Sequence, residues 1–456
     1  MWTINTLKNI VCNWDSLDDA HAEAFLAYMN QRFTPDVFQK HLDKRRRALE
    51  NAAASKKLLD GAVQSFPDVV NYQSLNLDGD DGFGGLSGFA IVFTAGGEGE
   101  RLRLSLLEKG VPAKSLRDFT KATYPLKGFY EDFGALQINL AMVSRICRQY
   151  HIDIPVIVTT GPEGSVTDRV IPAILRKHND FGLPHVKIVS QDERLHFTVD
   201  EKIAVRFEDG VPYPVTQPDE TGGPLMKLKQ KVCADGINND GNGSNMNNIN
   251  NIYDINNINN INDINNVDNI NSINNTSTLQ WLSGLGCEKL LIVQGTAIYE
   301  PKMLAFMSAA AKGHDCVGVG ILRDDFGPKD PFGTFVCIDR NGARTVRIVE
   351  QDIRNDETRS VRDKSTGAYL PFNTGFYAVD RRLLEYNDLP DYATPPKEVL
   401  PELPRSPKIG YAATDVLPLA KRPLILTVRP DMYAVIKTAE DLETMSEMAA
   451  RFGLRP

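Results

Sequence analysis

The chain has 456 residues, a formal charge of −8 and six cysteines (Cys12, Cys147, Cys233, Cys287, Cys316 and Cys337) with no Cys-x-x-Cys pair. This length calls for a large α/β domain with appendages. The acidic balance excludes general nucleic-acid binding, and the scattered cysteines, read as core packing, exclude a zinc site and fit a reducing compartment. No apolar run approaches the roughly 20 residues of a membrane span, and Met1–Asn5 opens with neither a basic nor an apolar leader, so a soluble, cytoplasmic protein with no membrane partner is expected.

Residues 1–77 read as an N-terminal helical region: Ala, Leu, Glu, Lys and Arg predominate over 15–60, with Phe25, Met29 and Phe33 at helical spacing. The run Lys44-Arg45-Arg46-Arg47 is read as a solvated helix face in preference to a phosphate contact. A Gly/Asp-rich connector at 78–88 marks a boundary, and a single domain is expected over 89–456. It opens with an apolar strand, Phe89–Thr94, that runs into Ala95-Gly96-Gly97-Glu98-Gly99-Glu100-Arg101-Leu102. Three glycines in four residues let the backbone turn tightly and approach a bound group, and their successive N–H groups can cradle phosphate oxygens. The loop is neither a Walker loop nor a dinucleotide fingerprint, because the spacing of both is absent. The basic segment that follows offers Lys114, Lys121 and Lys127 to the same phosphates.

Beyond it, strand-like and helix-like segments alternate, the pattern of a mostly parallel sheet covered by helices. Strands are expected at Ile154–Thr159, Val186–Ser190, Ile203–Phe207, Lys289–Val293, Cys316–Ile321, Thr334–Ile338, Val346–Val349, Phe372–Val379 and Leu424–Val428. The tract at 237–278, a near-repeat of Asn-Asn-Ile with scattered Asp, lacks the apolar variety that offsets ordering entropy and is read as a disordered insertion. Leu225–Val232 and Leu279–Leu285 would be helices on either side of it.

The pattern Gly-Gly-x-Gly-x-Arg-Leu, with Lys-x-x-x-Pro at Lys121–Pro125, resembles the UDP-sugar pyrophosphorylases. The likeness continues in order. Gln191 matches the family's uracil-contacting Gln, and Thr221-Gly222-Gly223 its nucleoside turn. Lys289–Pro301 is similar to the strand that ends in its metal-binding Asp. Val349-Glu350 and Phe372-Asn373-Thr374-Gly375 are similar to its sugar contacts, Asp415 to its Phe-Asp-x-Phe site, and Val435-Ile436-Lys437-Thr438 to its late Val-Lys-Thr segment.

The resemblance implies a three-layer α/β nucleotidyltransferase of the Rossmann-like, GT-A type that forms a UDP-sugar and pyrophosphate from UTP and a sugar 1-phosphate. It implies Mg²⁺ as cofactor and a monomer. In this reading Gly96, Gly97, Gly99 and Arg101 hold pyrophosphate, Lys121 and Lys437 flank the α-phosphate, and Gln191, Thr221 and Gly222 take the nucleoside. Glu350 and Asn373 take the sugar, and Asp415 is offered to the metal. Lys121 ranks first for its role; Lys127, in Tyr-Pro-Leu-Lys-Gly, is the alternative and Lys114 the third choice. Three residues depart from the pattern: Glu100 where Thr is usual, Thr221 for Asn or His, and Thr296 at the position of the metal-binding Asp. They keep open a silent homologue that binds nucleotide or sugar phosphate as a regulator, or an enzyme using another nucleoside triphosphate.

Overall fold

A computed structural model describes residues 1–77, 82–97, 99–129, 133–231, 276–322, 332–398, 400 and 403–454. The chain forms two compact units, one built from Met1–Lys57, Gln191–Thr278 and Leu389–Ala412, the other from Leu58–Ser190, Leu279–Asp388 and Ala413–Pro456.

The larger unit is built on a mixed sheet whose main strands are, in chain order, β1 (Val69–Asn71), β2 (Phe89–Thr94), β3 (Val156–Thr160), β4 (Val186–Ser190), β5 (Lys289–Gln294), β6 (Cys316–Ile321), β7 (Phe372–Asp380) and β8 (Pro423–Val428). Their spatial order is β1-β8-β6-β7-β5-β2-β3-β4. Every pair along this path is parallel except the two made by β7, which runs antiparallel to both β5 and β6. Strand β2 is apolar throughout because both its faces are covered: Ile91 and Phe93 join one core, and Ala90 and Val92 are equally buried on the other side. Leu136, Leu140 and Val143, spaced as one face of a helix, lie on Ala135–Tyr150 and pack into that same core with Met303, Met307 and Met445. This is the mixed, mostly parallel α/β sheet expected from the alternation of segments.

A ribbon of Thr334–Arg340 and Ala343–Val349 joins the sheet beside β7 through Thr334 and Phe372. Its turn is Asn341-Gly342, with φ of 56° and 80°, the left-handed pair that a two-residue hairpin requires.

In the smaller unit the helices Asp19–Arg32 and Pro35–Leu58 account for the helical reading of 15–60. Phe25, Met29 and Phe33 are buried with Leu7, Phe38 and Phe197. Only half of the basic run is a solvated face, since Arg46 and Arg47 are exposed and Lys44 and Arg45 are not. Lys44 and Arg45 are 4% and 5% exposed. Lys44 pairs with Asp391 at 3.1 Å and sits 3.2 Å from the centroid of the Tyr411 ring. Arg45 donates to the Thr198 carbonyl at 3.0 Å, Arg46 meets Glu201 at 2.6 Å, and Arg47 meets Asp391 at 2.7 Å. The carboxylates that make this run structural lie 150 or more residues downstream, beyond the reach of a local reading.

The helix expected at Leu225–Val232 is the short Gly223–Lys227, and that expected at Leu279–Leu285 is Thr278–Gly284. Of the Asn-rich tract only residues 276–278 lie among those described. Lys231 and Ser277, on its two sides, form an antiparallel bridge. The connector is described from residue 82, where Gly82 takes φ 74° before the turn of helix Phe83–Leu86. Among the described residues no helix is long and apolar enough to cross a membrane. Cys147, Cys287, Cys316 and Cys337 are buried, whereas Cys12 is exposed.

Candidate functional site

In the larger unit the glycine loop leaves the C-terminal end of β2, where parallel strands of an open α/β sheet place their ligands. The Ala95 N–H donates to Thr159 Oγ1 at 3.2 Å, fixing the loop to β3. Gly99 takes φ 79° and precedes the helix Glu100–Glu108. A Cβ there would stand 2.6 Å from Lys121 Cβ, so the missing side chain at Gly99 is what lets Lys121 pack against the loop. Glu100 is exposed in the first turn of that helix, where a carboxylate suits the positive end of the helix dipole. Arg101 follows it, also exposed.

The end of β5 builds the opposite wall. Gly295 N–H donates to Thr94 O at 3.0 Å, and a Cβ on Gly295 would lie 3.2 Å from that of Ala95. Next, Thr296 accepts the Ile436 N–H at 3.2 Å, and Ala297–Tyr299 pairs with Tyr433–Val435. That pairing brings Lys437 to the same end of the sheet as the glycine loop. Its Nζ lies 3.6 Å from the centroid of the Phe332 ring, and its backbone N–H donates to Asp441 Oδ2 at 2.7 Å.

Lys121 shows the result electrically. Burial first, then the positive charges of Arg101 and Lys437, push its ammonium down to about 8, with Asp441 acting the other way. Two cations from two separate segments therefore act on Lys121 where the glycine loop turns. Lys114 and Lys127 are exposed and not among the groups that act on Lys121.

A second group of predicted residues gathers around β7. Asn373 N–H donates to Gly333 O at 2.9 Å, and a Cβ on Gly333 would stand 2.9 Å from Glu350 Oε1, so Gly333 lies against both predicted sugar residues. Asn373 Oδ1 accepts the Gly375 N–H and the Tyr377 hydroxyl, both at 2.9 Å. What Asn373 offers a ligand is therefore its NH₂ group. Burial raises the carboxyl of Glu350, helped by Asp352 and opposed by Arg354. Burial likewise raises Asp415 to about 6, against the pull of Arg347. Tyr377 feels both carboxylates.

Among the described residues the donors do not form a seat for a resident Mg²⁺, which favours carboxylates and water. Among the described residues, no group of three or more His, Cys, Asp or Glu side chains gathers where a metal ion could sit. Thr296 supplies a neutral hydroxyl, and the groups acting on Asp415 are burial and Arg347, not the three cations at the glycine loop.

Gln191, Thr221 and Gly222 lie in the smaller unit. Gln191 is 8% exposed, and its Nε2 donates to Glu220 O at 2.7 Å, which ties it to the Thr221-Gly222 turn. Its Oε1 is buried with no partner among the described residues. Gly222 is required by close packing, since a Cβ would lie 2.8 Å from the carbonyl carbons of Tyr411 and Ala412, and its N–H already donates to Tyr411 O. Thr221 is exposed.

Residues the sequence reading missed are Asp441, Phe332 and Gln294, whose Nε2 donates to Thr374 O at 2.7 Å beside Asn373. A polar residue at the end of an apolar strand and an acid just after the Lys-Thr pair were the available signals.

No protein-family model matches the chain, and no curated protein sequence does either. Solved structures do. A UDP-N-acetylglucosamine pyrophosphorylase from Trypanosoma brucei in complex with an inhibitor superposes with a TM-score of 0.62 at 13% identity, covering 95% of this chain and 79% of its own. An Entamoeba histolytica protein described as a candidate UDP-N-acetylglucosamine pyrophosphorylase gives 0.59 at 15%, covering 85% and 88%. A variant of UDP-glucose pyrophosphorylase from Leishmania major in complex with UDP-glucose gives 0.56 at 14%, covering 93% and 78%. The chain has the fold of the UDP-sugar pyrophosphorylases. Within the UDP-sugar pyrophosphorylase fold, the glycine loop, Lys121 and Lys437 share one end of the sheet, and Glu350 and Asn373 meet at the edge of its ribbon.

Proposed function

We propose that the chain is a UTP:sugar-1-phosphate uridylyltransferase. The observation that carries this reading is the gathering of Arg101, Lys121 and Lys437 at the glycine loop, with the ammonium of Lys121 under repulsion from the other two. Cations held together at such a cost suit a polyanion that restores the balance when it binds. A sugar 1-phosphate oxygen attacks the α-phosphorus of UTP in line, the α–β bridging bond breaks, and pyrophosphate leaves with its electron pair. No covalent residue is needed. The loop amides and Arg101 hold the departing pyrophosphate, and Lys121 and Lys437 neutralise the charge that builds around the α-phosphate. Asn373 donates to the sugar and Glu350 accepts from its hydroxyls. Magnesium, in this reading, arrives with the triphosphate, held by phosphate oxygens and water.

Base choice follows from Gln191. Its Nε2 is taken, so it presents an acceptor, which suits the N3–H of uracil and not the bare N3 of cytosine. The silent-homologue reading is favoured by one observation, the hydroxyl of Thr296 in place of a carboxylate. A matrix of nucleoside triphosphates against sugar 1-phosphates, scored by pyrophosphate release with Mg²⁺ present, separates the two. UTP-dependent release with one or a few sugars is the expected result, and binding without release under every pairing would establish the silent homologue.

A further inference from the structure

Asp441 begins the helix Asp441–Arg451 and turns its carboxylate back on the segment before it. Its Oδ2 accepts the backbone N–H groups of Lys437 and Thr438, both at 2.7 Å, and the Thr438 hydroxyl at 3.4 Å. Those two amides flank the Lys437 Cα, so one carboxylate oxygen fixes the backbone on both sides of the lysine. Nothing in a helix start requires this, since the amides held belong to residues ahead of the helix rather than to its first turn. We propose that Asp441 is a positioning residue for the transfer reaction, setting the place of Lys437 through its two flanking amides.

The same carboxylate also bears on Lys121. The groups acting on Lys121 come from three places: Arg101 on the loop helix, Lys437 after the Tyr433–Val435 strand, and Asp441 on the last helix. Burial and the two cations disfavour the ammonium, and Asp441 favours it. A lysine that must stay charged beside two other cations while no anion is bound needs such a counter-charge. Asp441 supplies it while both its backbone bonds stay made. This inference rests on the phosphate-handling reading of Lys121 and Lys437.

Two substitutions take the roles apart. Asp441→Asn keeps an oxygen for the two amides and removes the charge; Asp441→Glu keeps the charge and displaces the oxygen. The full chain, wild type and variants, is acylated competitively across a pH series, and the reactivity of Lys121 is read by peptide mass spectrometry, with thermal melts and steady-state kinetics alongside. In Asp441→Asn the Lys121 midpoint moves to lower pH, and the alkaline fall of kcat/KM moves with it. In Asp441→Glu the midpoint stays, and kcat drops on the order of tenfold or more through misplacement of Lys437. Glu447→Gln is the control, an exposed carboxylate on the same helix, and it leaves the midpoint and the rate unchanged. An Asp441→Glu chain with wild-type kcat overturns the inference, as does an Asp441→Asn chain whose kcat, at a pH below the Lys121 midpoint, falls as far as that of Asp441→Glu, since the oxygen it keeps for the two amides should hold Lys437 in place. Wild-type chain that releases no pyrophosphate, yet shows the shift in Asp441→Asn, would remove the reaction proposed above and leave Asp441 as the counter-charge of an anion-binding lysine.

Discussion

Lys121 titrates near 8 in the folded chain, depressed from the ordinary lysine value, so its charge is present below that pH and lost as pH rises through it. Binding of pyrophosphate, measured by calorimetry, is therefore expected to weaken between pH 7 and pH 9, and Lys121→Gln should flatten that dependence. The same lysine and Lys437 are expected to matter most in the transition state: Lys121→Ala or Lys437→Ala should cost about 3 kcal/mol or more, roughly 100-fold, chiefly in kcat. Lys127→Ala, at an exposed position, should cost far less; a large loss there with none at Lys121 would exchange their roles. At Gln191 the committed Nε2 and unpartnered Oε1 make a narrower forecast. Gln191→Ala should narrow the preference for UTP over CTP by about 1–3 kcal/mol, read as the ratio of kcat/KM values, and an unchanged ratio would remove Gln191 from base recognition. Lys121, Lys437 and Gln191 were singled out in the sequence by the resemblance to the UDP-sugar pyrophosphorylases. Asp441 left only a weak signal, an acid after the Lys-Thr pair, because its bonds go to backbone amides, which side-chain pattern does not record.

Glycine 99 belongs to the loop as an element, since its φ of 79° and the 2.6 Å separation from Lys121 that a Cβ would have concern the path of the whole turn. Gly99→Ala is expected to cost about 1–2 kcal/mol from the left-handed backbone alone, seen as a lowered Tm, and to reduce kcat further by displacing Lys121. A variant with wild-type Tm and rate would mean that the loop relaxes freely. The sequence was a good guide to elements whose burial is uniform: β2 and β5 read as strands because both their faces are apolar. The reading of a solvated face held for Arg46 and Arg47 and misjudged Lys44 and Arg45 for an electrostatic reason. Adjacent cations look solvated until Asp391, Glu201 and the Tyr411 ring are brought to them by tertiary structure, and only the fold supplies that. The ribbon that sets Glu350 against Gly333 is marked in the sequence by Asn341-Gly342 between two β-rich runs, a strong hairpin signal.

For the molecule as a whole, the bridge between Lys231 and Ser277 brings the described residues on the two sides of 232–275 to neighbouring points. Deleting residues 238–275 and joining the ends with a short Gly/Ser linker should therefore leave Tm and turnover within about a factor of three in rate, since loop length contributes only logarithmically to stability. Loss of the cooperative melt would show that the tract is part of the folded body. The fold class was legible from the alternation of segments, but the order of strands was not, and β7 is the reason: nothing in its composition announces a strand running against its neighbours at the centre of a parallel sheet. That strand also has a bearing on how the protein is made. β1, at residues 69–71, pairs with β8, at 423–428, and β7 joins the two parallel halves. During synthesis the half built from β2, β3, β4 and β5 can assemble while the ribosome is still at work. The opening strand β1 must wait for nearly the whole chain to emerge before its edge is covered, which leaves the nascent protein with an open seam that chaperones would be the first to meet.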